Sequence, residues 1–286
     1  MFKNIILLLR LHNTIPVLML FLPCLWGILV ANKQTMYINQ GKILIGVFIF
    51  LAGSVLMRSA GCVINDLFDK NLDIKQERSR NRPIANKSIS SKIALLIFLS
   101  ITLICGIFVL LVFNKYAIIY TIIAGILMVI YPLTKRFFSY PQLVLGFAFN
   151  SGVVISYVFY AKFATMPILL LYASGIYWTM IYDTIYAYQD LIDDIKLGVF
   201  SSARKFGIIN GKKYLKIFST MQTFCLILAG ISLHTNLYYY FIIAINFVII
   251  RKIIATTDLV EKESCSKSFK LMAISGVLVS LAILIS

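Results

Sequence analysis

Eight of the eleven acidic residues in this 286-residue chain fall in two short stretches. Asp66, Asp69, Asp73 and Glu77 lie in NDLFDKNLDIKQE, and Asp183, Asp190, Asp193 and Asp194 lie in DTIYAYQDLIDD. If the chain is helical past Ile64, Asp66, Asp69 and Asp73 share one face, because steps of three and four residues return to the same side of a helix. Asp183, Asp190 and Asp194, spaced by seven and four, would share a face of a second helix. Carboxylates this close repel one another, and near hydrocarbon the repulsion is poorly screened, so each set calls for a compensating cation. A hard divalent ion such as Mg²⁺, usually held by one or two carboxylates together with phosphate oxygens, fits that chemistry. Arg78, Arg80, Arg82, Lys135, Arg136, Arg204 and Lys205 stand around the acids and would receive a strongly anionic group such as diphosphate. The alternative is that these are solvated loop charges that neutralise one another, a reading that two matched clusters make the weaker one.

The elements that must position these residues are membrane helices. Of the residues, 60% are hydrophobic and 13% charged, and the mean hydropathy is +0.90, values that exclude an ordinary soluble domain. Apolar runs at about 15 to 31, 43 to 64, 92 to 113, 116 to 133, 141 to 162, 165 to 187, 214 to 233, 237 to 255 and 268 to 286 predict nine transmembrane helices in an all-α bundle. Residues 1–286 read as one domain, with long inner loops over about 65–91 and 188–213. With the N-terminus inside, 22 of the 27 lysines and arginines fall on the inner side, whereas only Lys33, Lys42, Lys115 and Lys162 fall outside. That asymmetry fixes the orientation, puts both acidic clusters at the inner boundary, and accounts for the net charge of +16 without a nucleic-acid partner. An anion site at the inner boundary beside apolar helix faces suggests a substrate with a diphosphate head and a hydrocarbon tail, a polyprenyl diphosphate.

The segments RSAGCVINDLFDKNLD, with its N-D-x-x-D-x-x-x-D pattern, and YDTIYAYQDLIDDIKLG followed by FSSARKFG resemble the two aspartate-rich motifs of the UbiA superfamily of intramembrane prenyltransferases. YPLTKRFFSYPQLVLGFAF, LRLHNTIPVLMLFLPCLWGILVA and EKESCSKSF bring the likeness nearer to its 4-hydroxybenzoate polyprenyltransferase branch. The resemblance implies a nine-helix fold around a central cavity that opens to lipid and is capped by the two motif loops. It implies that Asn65, Asp66, Asp69, Asp73, Asp190 and Asp194 hold Mg²⁺, two ions being expected, and through it the diphosphate. Asp183 would order the loop or bind the head group. Arg58, seven residues before Asn65, and Arg136, beside Lys135, would handle the acidic aromatic acceptor, and Arg78, Arg82 and Lys135 would meet the diphosphate. HNTIPV departs from the lysine-proline entry usual in the first span.

The implied reaction is transfer of the polyprenyl group to the ring carbon ortho to the hydroxyl of 4-hydroxybenzoate, a step towards ubiquinone. Asp69, Asp73, Asp190, Asp194 and Arg58 would be the central residues. The same chemistry on a naphthoate, homogentisate or haem acceptor is the neighbouring reading, and an ion-coupled transporter is the rival from another class. A bacterial inner membrane is the expected location, with the N-terminus and the active-site loops cytoplasmic. The opening residues, with Lys3 and Arg10, read as an interfacial lead-in to a retained first span. Five scattered cysteines read as apolar packers. His12 and His234 have no partner at ligand spacing. Tyr177, Tyr182, Tyr186 and Tyr188 read as an interfacial aromatic belt in preference to a cation-steadying group.

Overall fold

The computed structural model describes residues 2–35 and 39–286, and the described residues are helical apart from their connections. A short helix α1 (Phe2–Leu8) precedes α2 (Ile15–Gln34), α3 (Gln40–Asp73), α4 (Ser91–Val112), α5 (Lys115–Thr134), α6 (Pro141–Tyr160) and α7 (Met166–Ala187). A single 3₁₀ turn (Tyr188–Asp190) leads into α8 (Leu191–Leu197), followed by α9 (Ser202–Ser232), α10 (Leu237–Thr256), α11 (Lys262–Leu271) and α12 (Ala273–Ile285). Nine segments of this set are long and apolar enough to cross a membrane, as the sequence predicts; α7 runs with α8, and α11 with α12, as single spans.

Helix starts are written locally. Asn39, Ser90, Asn114, Ser201 and Asn236 each accept a hydrogen bond from an otherwise unpaired amide in the first turn of the helix they precede. α2, α6 and α7 carry proline in the first turn, where no amide proton is needed. Two glycines in left-handed backbone shape the end that carries the acidic motifs. Gly198, at φ 72°, closes α8, and Gly207, at φ 64° and ψ 175°, kinks α9 in a conformation closed to other residues. The carbonyl of Gly207 accepts a 2.8 Å hydrogen bond from the Tyr188 hydroxyl.

α2, α6, α7, α9, α10 and α12 supply the main core. Trp26 and Trp178 meet at its centre with ring centroids 5.7 Å apart. Both indole N–H groups are satisfied: Trp26 donates to the Gly276 carbonyl at 3.1 Å and Trp178 to the Met272 carbonyl at 3.1 Å. With no water in the bilayer to drive apolar association, such helices are held by close packing at small residues and by buried hydrogen bonds. Gly27 shows the first: a Cβ there would stand 2.2 Å from both Ser156 Oγ and the Val153 carbonyl oxygen. α4 lies apart from this core and presents Leu96, Leu103, Leu110 and Leu111 outward. The bundle is therefore dense on one side and thin where α3, α4 and α5 meet.

Two boundaries differ from the sequence reading in ways that matter for the site. α3 runs 34 residues to Asp73, about 51 Å at 1.5 Å per residue, so the first acidic motif is the end of a membrane helix, and the first inner loop starts after Asp73 instead of at 65. The second acidic set does not share one helix face, because the 3₁₀ turn at Tyr188–Asp190 separates Asp183 on α7 from Asp194 on α8. The inner segment 188–213 is also mostly helix, with only a short link between α8 and α9.

Gly27→Ala should force α2 and α6 apart and lower stability by about 1–3 kcal/mol, the usual cost of overpacking. Gly53→Ala, with open space around its Cβ position, should be neutral in the same mixed-micelle unfolding measurement.

Candidate active site

At the end that carries both acidic motifs, the bundle encloses a cavity of about 1610 Å³. Its charged end is lined by Asn65, Asp69 and Asp73 from α3, Arg78 and Arg82 from the following loop, Lys135, and Asp183, Asp190 and Asp194. Its other end is apolar and reaches Phe48, Ile104, Leu110 and Ile122, which are also exposed on the outside of the helices. The chamber thus joins a polar mouth to an opening on the lipid side, between α3, α4 and α5.

Burial dictates the pairing at the mouth. Asp66, Asp69 and Asp73 are 1%, 5% and 2% exposed, and a carboxylate so placed must be compensated. Arg10 donates to Asp66 Oδ1 at 2.6 Å, and Arg82 donates to the same oxygen at 3.2 Å and to both oxygens of Asp73 at 2.9 Å. Lys135 donates to Asp69 Oδ2 at 3.0 Å and to Asn65 Oδ1 at 3.1 Å. Burial disfavours the charge of Lys135, but the Asp69 carboxylate, by its charge and its hydrogen bond, raises the ammonium above the ordinary lysine value, so Lys135 stays protonated. Asp69 Oδ1 and Arg58 Nε remain buried without a partner. Arg58 is otherwise held by the Cys62 thiol one turn along α3, and it lines the cavity.

The second motif closes over the first through three consecutive residues. Gln76 donates to Asp194 Oδ1 at 3.2 Å, the Glu77 amide to Asp193 Oδ2 at 3.3 Å, and Arg78 Nε to Asp190 Oδ1 at 2.8 Å. Arg78 makes a second bond to Asp190 Oδ2, donates to the Tyr186 hydroxyl at 2.7 Å, and lies 4.9 Å from the Tyr186 ring centroid. Lys262, at the start of α11, donates to Glu77 at 2.6 Å. That hydrogen bond holds the Glu77 carboxyl below the ordinary glutamate value. The link is therefore present at neutral pH and is lost as pH falls through the lowered folded value.

The structure brings together Arg58, Asn65, Asp69, Asp73, Arg78, Arg82, Lys135, Asp183, Asp190 and Asp194 around one cavity. Asp66 sits behind that wall, between Arg10 and Arg82. Arg136 does not reach the cavity: it is exposed and donates to the Phe68 carbonyl at 3.0 Å, because its neighbour Lys135 takes the inward direction at the end of α5. Arg10, Gln76 and Lys262 were not legible as site residues. Arg10 arrives through α1, whose Leu8 is fully buried against Ala60, Val63 and Ile64, so the lead-in is tied to the first motif. The belt reading of the tyrosines holds for none of Tyr182, Tyr186 and Tyr188. Tyr182 and Tyr188 are buried inside the bundle, and Tyr186 carries Arg78.

Among the described residues no three acids, histidines or cysteines converge on one point; a lysine, arginine or glutamine stands between the acids instead. The donor set nevertheless fits a hard cation. It consists of carboxylate and amide oxygens on both sides of the cavity, with one buried oxygen, Asp69 Oδ1, left without a partner.

A sequence model of the UbiA prenyltransferase family matches residues 20–277. A protein of Drosophila pseudoobscura named 4-hydroxybenzoate polyprenyltransferase, mitochondrial, is 36% identical over 92% of this chain, which spans 65% of that protein's length. The 4-hydroxybenzoate octaprenyltransferase of Nitrosomonas eutropha is 38% identical over 85% of this chain and 82% of its own. Among solved structures, the apo UbiA homolog of Aeropyrum pernix aligns over 93% of this chain and 96% of its own, with a TM-score of 0.78 and 21% identity. The Archaeoglobus fulgidus UbiA homolog bound to GPP and Mg²⁺ aligns over 98% and 99%, with a TM-score of 0.68 and 16% identity. These structural likenesses establish the fold.

Arg82→Ala would leave Asp73 without its ion-pair partner and Asp66 with Arg10 alone. Such a loss costs about 3–5 kcal/mol, and adding Asp73→Asn should recover part of it in mixed-micelle unfolding. Purely additive changes would show that Arg82 and Asp73 are not coupled.

Proposed function

This chain belongs to the UbiA prenyltransferase family, and from that premise we propose that it transfers a polyprenyl group from polyprenyl diphosphate to 4-hydroxybenzoate. The new bond forms at the ring carbon ortho to the phenol, diphosphate is released, and the reaction depends on Mg²⁺. The observation that carries the reading is one continuous cavity with buried acids and bases at its inner mouth and an apolar end open towards lipid. A diphosphate head and a long hydrocarbon tail match the two ends. The names of the fly and bacterial relatives support the acceptor, and the Mg²⁺-bound archaeal homolog supports the metal.

Asn65, Asp69 and Asp73 on one side and Asp190 and Asp194 on the other would hold the metal, with Asp66 fixing Arg10 and Arg82 behind them. Bound Mg²⁺ would supply charge neutralisation for the diphosphate as the allylic carbon–oxygen bond breaks. Lys135, Arg78 and Arg82, now engaged with carboxylates, are placed to donate to the departing phosphate oxygens. The apolar walls exclude water from the allylic cation. The electron-rich ring carbon attacks that cation, and loss of the ring proton restores aromaticity. Arg58, which lines the chamber and whose buried Nε has no partner, would bind the acceptor's carboxylate. Arg136, outside the wall, supports the fold of the inner mouth. The charge asymmetry across the spans supports a mouth on the cytoplasmic side, and the bacterial relative supports an inner membrane as its location.

Membranes carrying the protein, given 4-hydroxybenzoate and a short prenyl diphosphate, should yield a 3-prenyl-4-hydroxybenzoate by mass spectrometry. Other acceptors supplied in parallel should yield little. Asp69→Ala and Asp190→Ala should each lower turnover by at least about a hundredfold without loss of membrane insertion, and chelation should abolish turnover until Mg²⁺ is restored. Full activity in either variant removes the metal assignment.

A further inference from the structure

The charged mouth leaves unexplained a polar chain buried in the bundle behind it. Asn150 on α6 is 1% exposed, and its amide nitrogen donates to the Gly146 carbonyl at 2.8 Å and to Thr179 Oγ1 at 2.8 Å. A carbonyl only accepts, so the first bond fixes the amide's orientation and the second uses its remaining proton. Thr179 Oγ1 is therefore an acceptor towards Asn150. Its own proton does not go to the backbone, unlike those of Thr121 and Thr223, which bond the carbonyl four residues back. It goes to the Tyr182 hydroxyl, 3.0 Å away.

Every step of this chain thus points one way, and Tyr182 stands at its end as an acceptor towards Thr179. The proton of Tyr182 has no protein acceptor among the described residues, and Tyr182 lines the cavity. Holding the chain has a cost in the fold. Asn150 Oδ1 is buried without a partner, and a Cβ at residue 175 would stand 2.2 Å from it, so only glycine there leaves room for the amide. A bundle needing only packing would fill this place with an apolar side chain.

Depth identifies what the free proton meets. Arg58 precedes Asp66 by eight residues of α3, and Tyr182 precedes Asp190 by five residues of α7 and the three of the 3₁₀ turn, so each lies about 12–14 Å deeper in the bundle than those two acids, with Asp183 the one acid at the level of Tyr182. Arg58 lines the same chamber, and its buried Nε has no hydrogen-bond partner. The diphosphate is served by the cations at the mouth. A donor to the acceptor's phenol oxygen would draw electrons from the ring and oppose attack, whereas a donor to its carboxylate would not. We propose that the Tyr182 hydroxyl donates to the carboxylate of the aromatic acceptor, beside Arg58, and that Asn150 and Thr179 are positioning residues that direct it there. The inference rests on the acceptor assigned above.

The test measures KM for 4-hydroxybenzoate and for the prenyl diphosphate, with Ki for benzoate and for phenol, in the wild type and in Tyr182→Phe. Losing a hydrogen bond to a charged group should raise the 4-hydroxybenzoate KM and the benzoate Ki together by about ten- to a hundredfold. The phenol Ki and the prenyl diphosphate KM should stay within about twofold. Thr179→Val should shift the same two constants in the same direction by a smaller factor, with Thr179→Ser restoring them, which keeps the test decisive if Tyr182→Phe does not fold. Constants that all move together, a shift in phenol but not benzoate, or no shift at all would overturn the proposal. A wild-type protein inactive on 4-hydroxybenzoate would instead overturn the acceptor itself and this inference with it.

Discussion

The cost of burying a carboxylate next to hydrocarbon governs this molecule. Asp66, Asp69 and Asp73 are nearly inaccessible, and each is held by a cation brought from a different part of the chain: Arg10 from the lead-in, Arg82 from the first inner loop, and Lys135 from the end of α5. Because unpaired charges there are so unfavourable, the requirement fixes where these otherwise loosely tethered segments rest. The same logic brings the two motif regions together, since Gln76, Glu77 and Arg78 meet Asp194, Asp193 and Asp190 in succession. The charged mouth is built by electrostatic demand, and the membrane-embedded part by packing.

That division explains the shape of the chamber. The tight side packs closely around α7 through its paired tryptophans and glycine contacts. α3 extends beyond the thickness of the hydrocarbon and carries the first acids out of it. α4 gives the open side a single-layer wall whose residues face both the chamber and the outside. A long apolar substrate can therefore lie with its tail among lipid while its head reaches the charges. The paired state is also primed for exchange, because each cation now holding an acid is a donor suited to phosphate oxygens. Metal and phosphate would arrive together and replace one set of charge pairs by another with little change in net charge.

Much of this was legible in the sequence, for physical reasons. Long apolar runs have few alternatives to spanning helices, and acids at helical spacing beside them demand an explanation. Asp69, Asp73, Asp190, Lys135 and Arg82 were found that way and lie around one cavity. The 3₁₀ turn at Tyr188–Asp190 was not visible, because seven-and-four spacing looks the same whether or not a helix is broken between the residues. Arg10 could not be told from an ordinary inside positive charge until α1 was seen packed through Leu8 on α3. Lys135 and Arg136 show the same limit: adjacent cations point in opposite directions, and only the end of α5 decides which faces inward. Tyr182 was assigned to a surface belt because aromatic spacing near a boundary does not show which residues face the interior. The signal that would have drawn attention to it is Asn150, a polar residue in the middle of an apolar run.

The central claim is that the two acidic sets jointly receive one metal-bound diphosphate. The most direct measurement is a structure of the protein with Mn²⁺ and a non-ionisable prenyl thiodiphosphate. Metal density between the sets, with oxygens of Asp69 or Asp73 and of Asp190 or Asp194 at about 2.1–2.3 Å and with Lys135 and Arg78 turned onto phosphate, is the result this account predicts. A diphosphate bound elsewhere, with those acids still paired to Lys135 and Arg78, would contradict it.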